Sequence, residues 1–261
     1  MCLFCTQLLD SVGIPNFRIS GRRTRSHIKQ PAQPTMSPEE PLTLISATPS
    51  PFARMNRIAL KMKGIPFVLQ NEIPWESKTQ TPKHNPLEKL PILLFPESDP
   101  RSPVYESAHI QTYIVEKYAG KGPRLLPGDL DGDLLAKQIV ILCVGCMDAM
   151  VLLRWEGRRE PEQQSKMWMD RQSRKVEGAM RAFNEYVLAA EKKGREFVVG
   201  KELTIADIAV VCTVGFIEFG QMRQGWRGEW QELSRYFDRV DGMRAFAETR
   251  PVMFNLTEKV V

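Results

Sequence analysis

The strongest constraint on the fold is a change in the hydrophobic pattern near residue 120. Before it, short apolar runs alternate with helical patterns in the order β-α-β-loop-β-β-α. After it, no run with strand character follows. An α/β region followed by an all-helical region predicts two packed domains, at 42–119 and 131–261, joined by a linker at 120–130.

The turn between the first predicted strand and the first predicted helix holds the leading candidate for chemistry. Residues 42–46 are predicted as a strand and residues 51–63 as a helix with proline at its first position. Ser50 is the predicted N-cap. Because a helix N-terminus favours negative charge, the Ser50 hydroxyl is also our first candidate to stabilise a bound thiolate. Thr48 is the second candidate and Ser46 the third.

Two later turns hold candidate binding residues. Leu90-Pro91 precedes the strand predicted at 92–95, and a cis bond would turn the Leu90 backbone outward to pair with a peptide. An ordinary trans proline opening a strand is the alternative. Glu106 and Ser107 open the next predicted helix as first-turn acid and N-cap hydroxyl, and could together hold a zwitterionic amino-acid end. Lys78, in the polar loop, is a candidate for a second ligand carboxylate.

The helical region supplies structural motifs. Its helices are predicted at 134–155, 161–192, 204–219, 230–240 and 242–249. Thr204-Ile205-Ala206-Asp207 resembles a capping box, so Thr204 and Asp207 are assigned to folding. Met147, Met150 and Arg154 share a face of the first of these helices and either line an apolar pocket or belong to the core.

The cysteines argue against disulfides and metal. There are five, at positions 2, 5, 143, 146 and 212, and an odd number clustered in this way does not fit a secreted disulfide framework. The Cys-x-x-Cys at 143–146 lies inside an apolar helical pattern and has no second pair at zinc spacing. We therefore expect small core side chains and no metal site.

Charge and hydropathy limit the partners and the compartment. The net charge is +5, and four of these charges lie in residues 1–36, so the nearly neutral body gives no case for nucleic acid. Residues 1–41 are predicted to be a disordered basic tail, either a mitochondrial transit peptide or a misassigned start. We favour the latter and hence the cytoplasm. The apolar run at 139–153 is interrupted by Asp148 and is judged too short to span a membrane.

Four segments in order resemble the cytosolic glutathione transferase superfamily, and the resemblance covers nearly all of residues 42–256. They are Ser-Pro-Phe-Ala-Arg at 50–54, Asn-Pro-Leu-Glu-Lys-Leu-Pro at 85–91, Glu-Ser at 106–107 and Leu-Thr-Ile-Ala-Asp at 203–207. The first is similar to the serine motif of the plant tau class. The segment Ile-Pro-Trp-Glu-Ser at 73–77 is similar to fungal transferase-like proteins, some of which tailor secondary metabolites.

The resemblance implies a thioredoxin-like N-terminal domain, an all-helical C-terminal domain and a homodimer. It implies glutathione as co-substrate, bound through Ser50, the Leu90 backbone beside Pro91, Glu106 and Ser107. The thiolate would attack an electrophilic, largely apolar small molecule, for example a secondary-metabolite intermediate. A serine where the thiol-exchange classes have cysteine argues against deglutathionylation. The alternatives are glutathione-dependent isomerisation or elimination, and a non-catalytic binding module.

Overall fold

A four-stranded mixed sheet forms the first region of the protein, in a computed structural model that describes residues 40–255 and 257. The strands are β1 (Leu42–Ser46), β2 (Phe67–Asn71), β3 (Ile92–Leu94) and β4 (Val104–Tyr105), in the order β2-β1-β3-β4. β1 pairs with β2 in parallel and with β3 antiparallel, and β3 pairs with β4 antiparallel. The predicted basic tail lies outside the described residues except for its last two positions.

Two helices complete this region, α1 (Pro51–Lys63) and α2 (Ser107–Lys117). Proline at the first position and Gly64 at the C-cap, with φ of 64°, bound α1 as predicted. The buried side chains of α1 recur at helical spacing and pack on the sheet and on α2, and they include Met55, Ile58 and Ala59.

Helices form most of the second region within its described residues. Its helices are α3 (Leu130–Glu156), α4 (Lys166–Glu191), α5 (Ile205–Phe219), α6 (Trp226–Glu229), α7 (Gln231–Asp241) and α8 (Arg244–Ala247). α5 is central, because every residue from Ile205 to Ile217 is buried and the helix packs against α1, α3 and α7. The predicted thioredoxin-like domain followed by an all-helical domain is confirmed.

Several helix boundaries differ from the predictions because capping residues were overlooked. Asp129 accepts a hydrogen bond from the Gly132 amide at 2.8 Å, so α3 begins four residues before the predicted start. Ser165 accepts one from the Trp168 amide at 3.3 Å, and this cap divides the helix predicted at 161–192 into a short 3-10 turn and α4. The short helix α6 was not predicted.

The length of α3 corrects the prediction made from its apolar run. With 27 residues, α3 is long and apolar enough to cross a membrane by length and composition alone. In the described structure it packs against α4 and α5, and 44% of its most apolar window is buried inside the protein. One face of α3 therefore packs against its neighbouring helices, and the rest of this window is not buried.

A buried arginine joins the two regions. The Arg54 guanidinium on α1 donates to the Asp241 carboxylate at the end of α7, to the Phe246 carbonyl at 3.0 Å and to Thr249 Oγ1 at 3.4 Å. Arg250 donates to the other Asp241 oxygen at 2.7 Å. The last residue of the 50–54 segment therefore holds α1 against the C-terminal helices.

Candidate active site

A cavity of about 200 Å³ lies where the sheet region meets the helical region. Its first wall is built from the turns that precede α1, β3 and α2 and from the segment after β2, and its second wall from α3, α5 and the C-terminal segment. The residues that line it include Ser50, Phe52, Trp75, Glu88, Lys89, Leu90, Glu106, Ser107, Asp148, Val151, Arg154, Trp155, Arg158, Phe216, Phe219 and Met253. A pocket at the edge where a strand meets a helix N-terminus is a common ligand site in α/β sheets.

Ser50 caps α1 and faces this cavity. Its Oγ accepts a hydrogen bond from the Ala53 amide at 3.2 Å, which confirms the predicted N-cap. Its O–H donates to no other described residue. One lone pair therefore serves the helix, while the hydroxyl proton is available to a ligand atom in the cavity.

The two lower-ranked hydroxyls lie elsewhere. Ser46 is completely buried and its Oγ donates to the Ala47 carbonyl at 3.3 Å. Thr48 is half-buried in the turn and is not part of the cavity wall. Ser50 is thus the member of the predicted series that lines the cavity, while its catalytic role stays a prediction.

The Leu90–Pro91 peptide bond is cis, as predicted. Leu90 lines the cavity, and its backbone N–H and carbonyl bond to no other described residue. Pro91 is buried behind it at the start of β3. An extended ligand backbone could therefore pair with Leu90.

Glu106 and Ser107 exchange the positions predicted for them. Glu106 is the N-cap of α2 and makes no capping bond, whereas Ser107 is the first helical residue and is only 3% exposed. The backbone of Glu106 has φ of 70°, which costs a non-glycine residue free energy and often marks a functional turn. Its Oε1 is buried without a hydrogen-bond partner, 4.0 Å from Lys89 Nζ.

The lysine in the cavity differs from the one singled out in the sequence. Lys78 is exposed and does not line the cavity, whereas Lys89 does. The position of Lys89, directly before Leu90 in the 85–91 segment, was the signal that could have identified it. The role assigned to Lys78 stays a prediction.

The three α3 residues divide between the two interpretations that the sequence left open. Met147 and Met150 are fully buried in the core, and only Arg154 of the predicted trio lines the cavity. Trp155 lines it too and makes an edge contact with Trp75 from the first region, with ring centroids 4.6 Å apart. Sequence reasoning missed this pair, because nothing local links residues 80 positions apart.

Thr204 and Asp207 form the predicted capping box away from the cavity. Asp207 accepts from the Thr204 amide at 2.8 Å, the Val198 amide at 2.9 Å and the Tyr236 hydroxyl at 2.7 Å. Burial raises the pKa of the Asp207 carboxyl, while these hydrogen bonds act in the opposite direction. Both residues anchor the N-terminus of α5.

The described cysteines are core side chains. Cys143, Cys146 and Cys212 are free and buried, and burial raises the pKa of each thiol. Among residues 40–255 and 257, no group of three His, Cys, Asp or Glu side chains could hold a metal ion.

Comparison with known proteins identifies the family of this chain. Residues 49–117 match the family described as glutathione S-transferase, N-terminal domain, and residues 152–248 match the glutathione S-transferase C-terminal domain. A glutathione S-transferase from Methylobacterium radiotolerans, solved in complex with glutathione sulfonate, is 40% identical; the match covers 85% of this chain and all of that one, with a TM-score of 0.77. The chain belongs to the glutathione S-transferase family.

Other members of the glutathione S-transferase family are similar at lower identity. The uncharacterized GST-like protein YibF of Escherichia coli K12 is 29% identical over 210 residues, 80% of this chain and 98% of YibF. A glutathione S-transferase from Methylobacillus flagellatus, solved with glutathione bound, is 26% identical over 81% of this chain and 100% of that chain, with a TM-score of 0.72.

Proposed function

We propose that this chain is a glutathione transferase in which the Ser50 hydroxyl and the α1 N-terminus stabilise the thiolate of bound glutathione. The observation that carries the proposal is the Ser50 hydroxyl itself, which faces the cavity with its oxygen bonded to the Ala53 amide and its proton unused among the described residues. A hydroxyl that donates to sulfur stabilises the anion. Lowering a thiol pKa from about 8.5 by roughly one to two units raises the thiolate fraction at neutral pH severalfold.

The glutathione complexes of the similar transferases support the same ligand here. Ser107, at the start of α2, would hold the γ-glutamyl carboxylate, and the buried Glu106 oxygen would accept from the ammonium group. The Leu90 backbone would pair with the cysteinyl residue. The glycyl carboxylate would meet Lys89 in the cavity, and Lys78, outside the cavity wall, is the second candidate.

The reaction is a substitution or addition at an electrophilic carbon. The thiol proton first passes to solvent, and the sulfur electron pair then forms a C–S bond. In a substitution, a leaving group such as chloride departs with its bonding pair; in an addition no group leaves, and the carbon that receives the π electron pair takes up a proton from solvent. The apolar side chains that line the cavity favour a largely apolar electrophile. They are those of Phe52, Trp75, Val151, Phe216 and Phe219. A secondary-metabolite intermediate is one candidate electrophile of this chemistry.

The test compares the wild type with Ser50→Ala using glutathione and 1-chloro-2,4-dinitrobenzene. We expect kcat/KM at neutral pH to fall by about tenfold or more, because one charge-assisted hydrogen bond to the thiolate is lost. The pKa read from the pH profile of kcat/KM should rise by roughly one to two units toward that of the free thiol.

Thr48→Ala is the matched control, because it removes a hydroxyl from the same turn outside the cavity. Unchanged kcat/KM and thiol pKa in Ser50→Ala would contradict the role of Ser50. Failure of the wild type to bind immobilised glutathione would instead favour the non-catalytic module.

We also propose that the transferase is a homodimer of the cytoplasm. The exposed apolar residues Leu130, Leu134 and Ile141 of α3 share one face and support a second copy as their cover. Light scattering should give twice the chain mass of 29.8 kDa, and the chain mass itself would refute the dimer. Fluorescence microscopy of the full chain tests the cytoplasm against the mitochondrial alternative.

A further inference from the structure

Two arginines stand at the C-terminal end of α3 in the helical wall of the cavity. Arg154 lies in the last turn of the helix, and Arg158 follows four residues later, just beyond its end. Both line the cavity, with Trp155 between them in the sequence. The cavity therefore places two guanidinium groups on the side where the electrophile of the proposed reaction would bind.

Neither guanidinium has an acidic partner among the described residues. The polar contact of Arg154 is Met253 Sδ at 4.0 Å, and the Arg158 guanidinium carbon lies 5.1 Å from the Trp155 ring centre. Arg159 provides the contrast, because it lies outside the cavity and pairs with Glu156 at 3.5 Å. The arginine that faces away is neutralised, and the two that face the cavity are not.

The acids of the cavity are directed elsewhere. Glu106 lies 4.0 Å from Lys89, and neither Glu88 nor Asp148 comes within 4.0 Å of a described arginine. Partial loss of hydration raises the pKa of Asp148, and Lys89 and Lys175 oppose that shift. These carboxylates therefore leave the charge on the two arginines uncompensated.

The electrostatics of Arg154 favour an incoming anion. Loss of hydration lowers the pKa of its guanidinium, and the positive charge of Arg158 lowers it further. A carboxylate within reach of both groups would relieve this repulsion. The planar guanidinium fork also matches a carboxylate through two parallel hydrogen bonds.

We propose that Arg154 and Arg158 bind a carboxylate on the electrophile, so that the preferred second substrate is a flat, apolar molecule carrying one acidic group. The proposal rests on the proposed transferase function. The Trp75–Trp155 pair supplies the aromatic surface for the apolar part, and the arginines supply the selectivity. The competing occupant is a carboxylate of glutathione itself, which the experiment separates.

The test uses two electrophiles that differ in one charge, 4-chloro-3-nitrobenzoate and its methyl ester. In both, the glutathione sulfur forms a bond to the ring carbon and chloride leaves with the bonding pair. Each kcat/KM is divided by the uncatalysed rate constant, which removes the difference in intrinsic reactivity. The selectivity is the ratio of the benzoate value to the ester value.

We expect this ratio to fall by about tenfold in Arg154→Gln and in Arg158→Gln, because each loses a charge-assisted hydrogen bond. Arg154→Lys should retain part of the selectivity, since it keeps the charge and loses the fork. Arg159→Gln is the matched control and should keep the wild-type ratio. An unchanged ratio in both cavity variants would overturn the proposal, as would a tenfold rise in the KM for glutathione without a change in the ratio.

Calorimetric titration separates this proposal from the proposed function. The wild type, saturated with S-methylglutathione, should bind 4-nitrobenzoate about tenfold more tightly than 4-nitrobenzamide, and Arg154→Gln should lose this difference. Equal affinities in the wild type would overturn the anion site even if turnover is normal. Preference for the benzoate without any turnover would leave the anion site standing and refute the transferase.

Discussion

The helices α1 and α5 both have a hydroxyl residue as N-cap, but the two hydroxyl groups differ in what their protons contact. Thr204 accepts from the Ala206 amide at 3.3 Å and donates its proton to Asp207 at 2.9 Å, so its hydroxyl is fully used and only 2% exposed. Ser50 Oγ accepts a hydrogen bond from the Ala53 amide, and its O–H, at the cavity wall, donates to no other described residue. A capping hydroxyl is therefore structural or available to a ligand according to where its proton goes, which the residue type alone does not reveal.

The largest loss of stability should come from disrupting the capping box at the N-terminus of α5. Asp207→Ala removes the acceptor of several buried donors and should lower the free energy of unfolding by about 3–5 kcal/mol, because those donors cannot all reach water. Urea unfolding followed by circular dichroism measures it. Tyr236→Phe, which removes only one of the donors, should cost clearly less, and an equal loss would mean that the box is not a shared network.

Substitution of Arg54 tests how much its buried ion pair contributes to holding α1 against the C-terminal helices. Arg54→Met leaves Asp241 with Arg250 as its remaining ionic partner and should cost about 3 kcal/mol of unfolding free energy. Lys61→Met is the matched control, because it breaks an exposed pair with Glu248 between α1 and the residue after α8, and should cost at most about 1 kcal/mol. Equal losses in the two variants would show that burial of the Arg54 pair adds nothing.

The smallest effect of the three on stability should come from removing the Ser50 cap at the N-terminus of α1. Ser50→Ala removes one capping bond from a half-buried hydroxyl and should cost about 1 kcal/mol, against about 2 kcal/mol for the fully engaged Thr204→Ala. The order should reverse for kcat/KM, where Ser50→Ala loses more than Thr204→Ala. If Ser50→Ala lost more unfolding free energy than Thr204→Ala but no more kcat/KM, the proposed difference between the two capping hydroxyls would be refuted.

The sequence predicted the elements whose signals are local. These are the helix between its caps Ser50 and Gly64, the capping box at Thr204 and the proline before β3, and each depends on neighbours within a few residues. The order of these elements was then enough to predict the fold class, because an α/β pattern followed by helices permits few architectures.

One missed feature depends on a contact distant in the sequence, and another had a local signal that was overlooked. The meeting of Trp75 with Trp155 is a consequence of how the two regions pack. Lys89, in contrast, stands directly before Leu90 in the 85–91 segment. The sequence left open whether Met147 and Met150 line a pocket or belong to the core, because an apolar helix face fits both, and their complete burial shows that they are core. Hydrophobic periodicity identifies the buried side of a helix but not its neighbour.

The single hydrogen of the Ser50 side chain limits which residues the position can tolerate. Aspartate and asparagine cap helices as well as serine does, so the coil-to-helix transition would survive either replacement. Aspartate, however, would present a second negative group to the sulfur, and asparagine would have to turn its amide away from the helix to donate. Selection for folding alone would accept all three side chains, whereas selection for a charged sulfur would keep an alcohol.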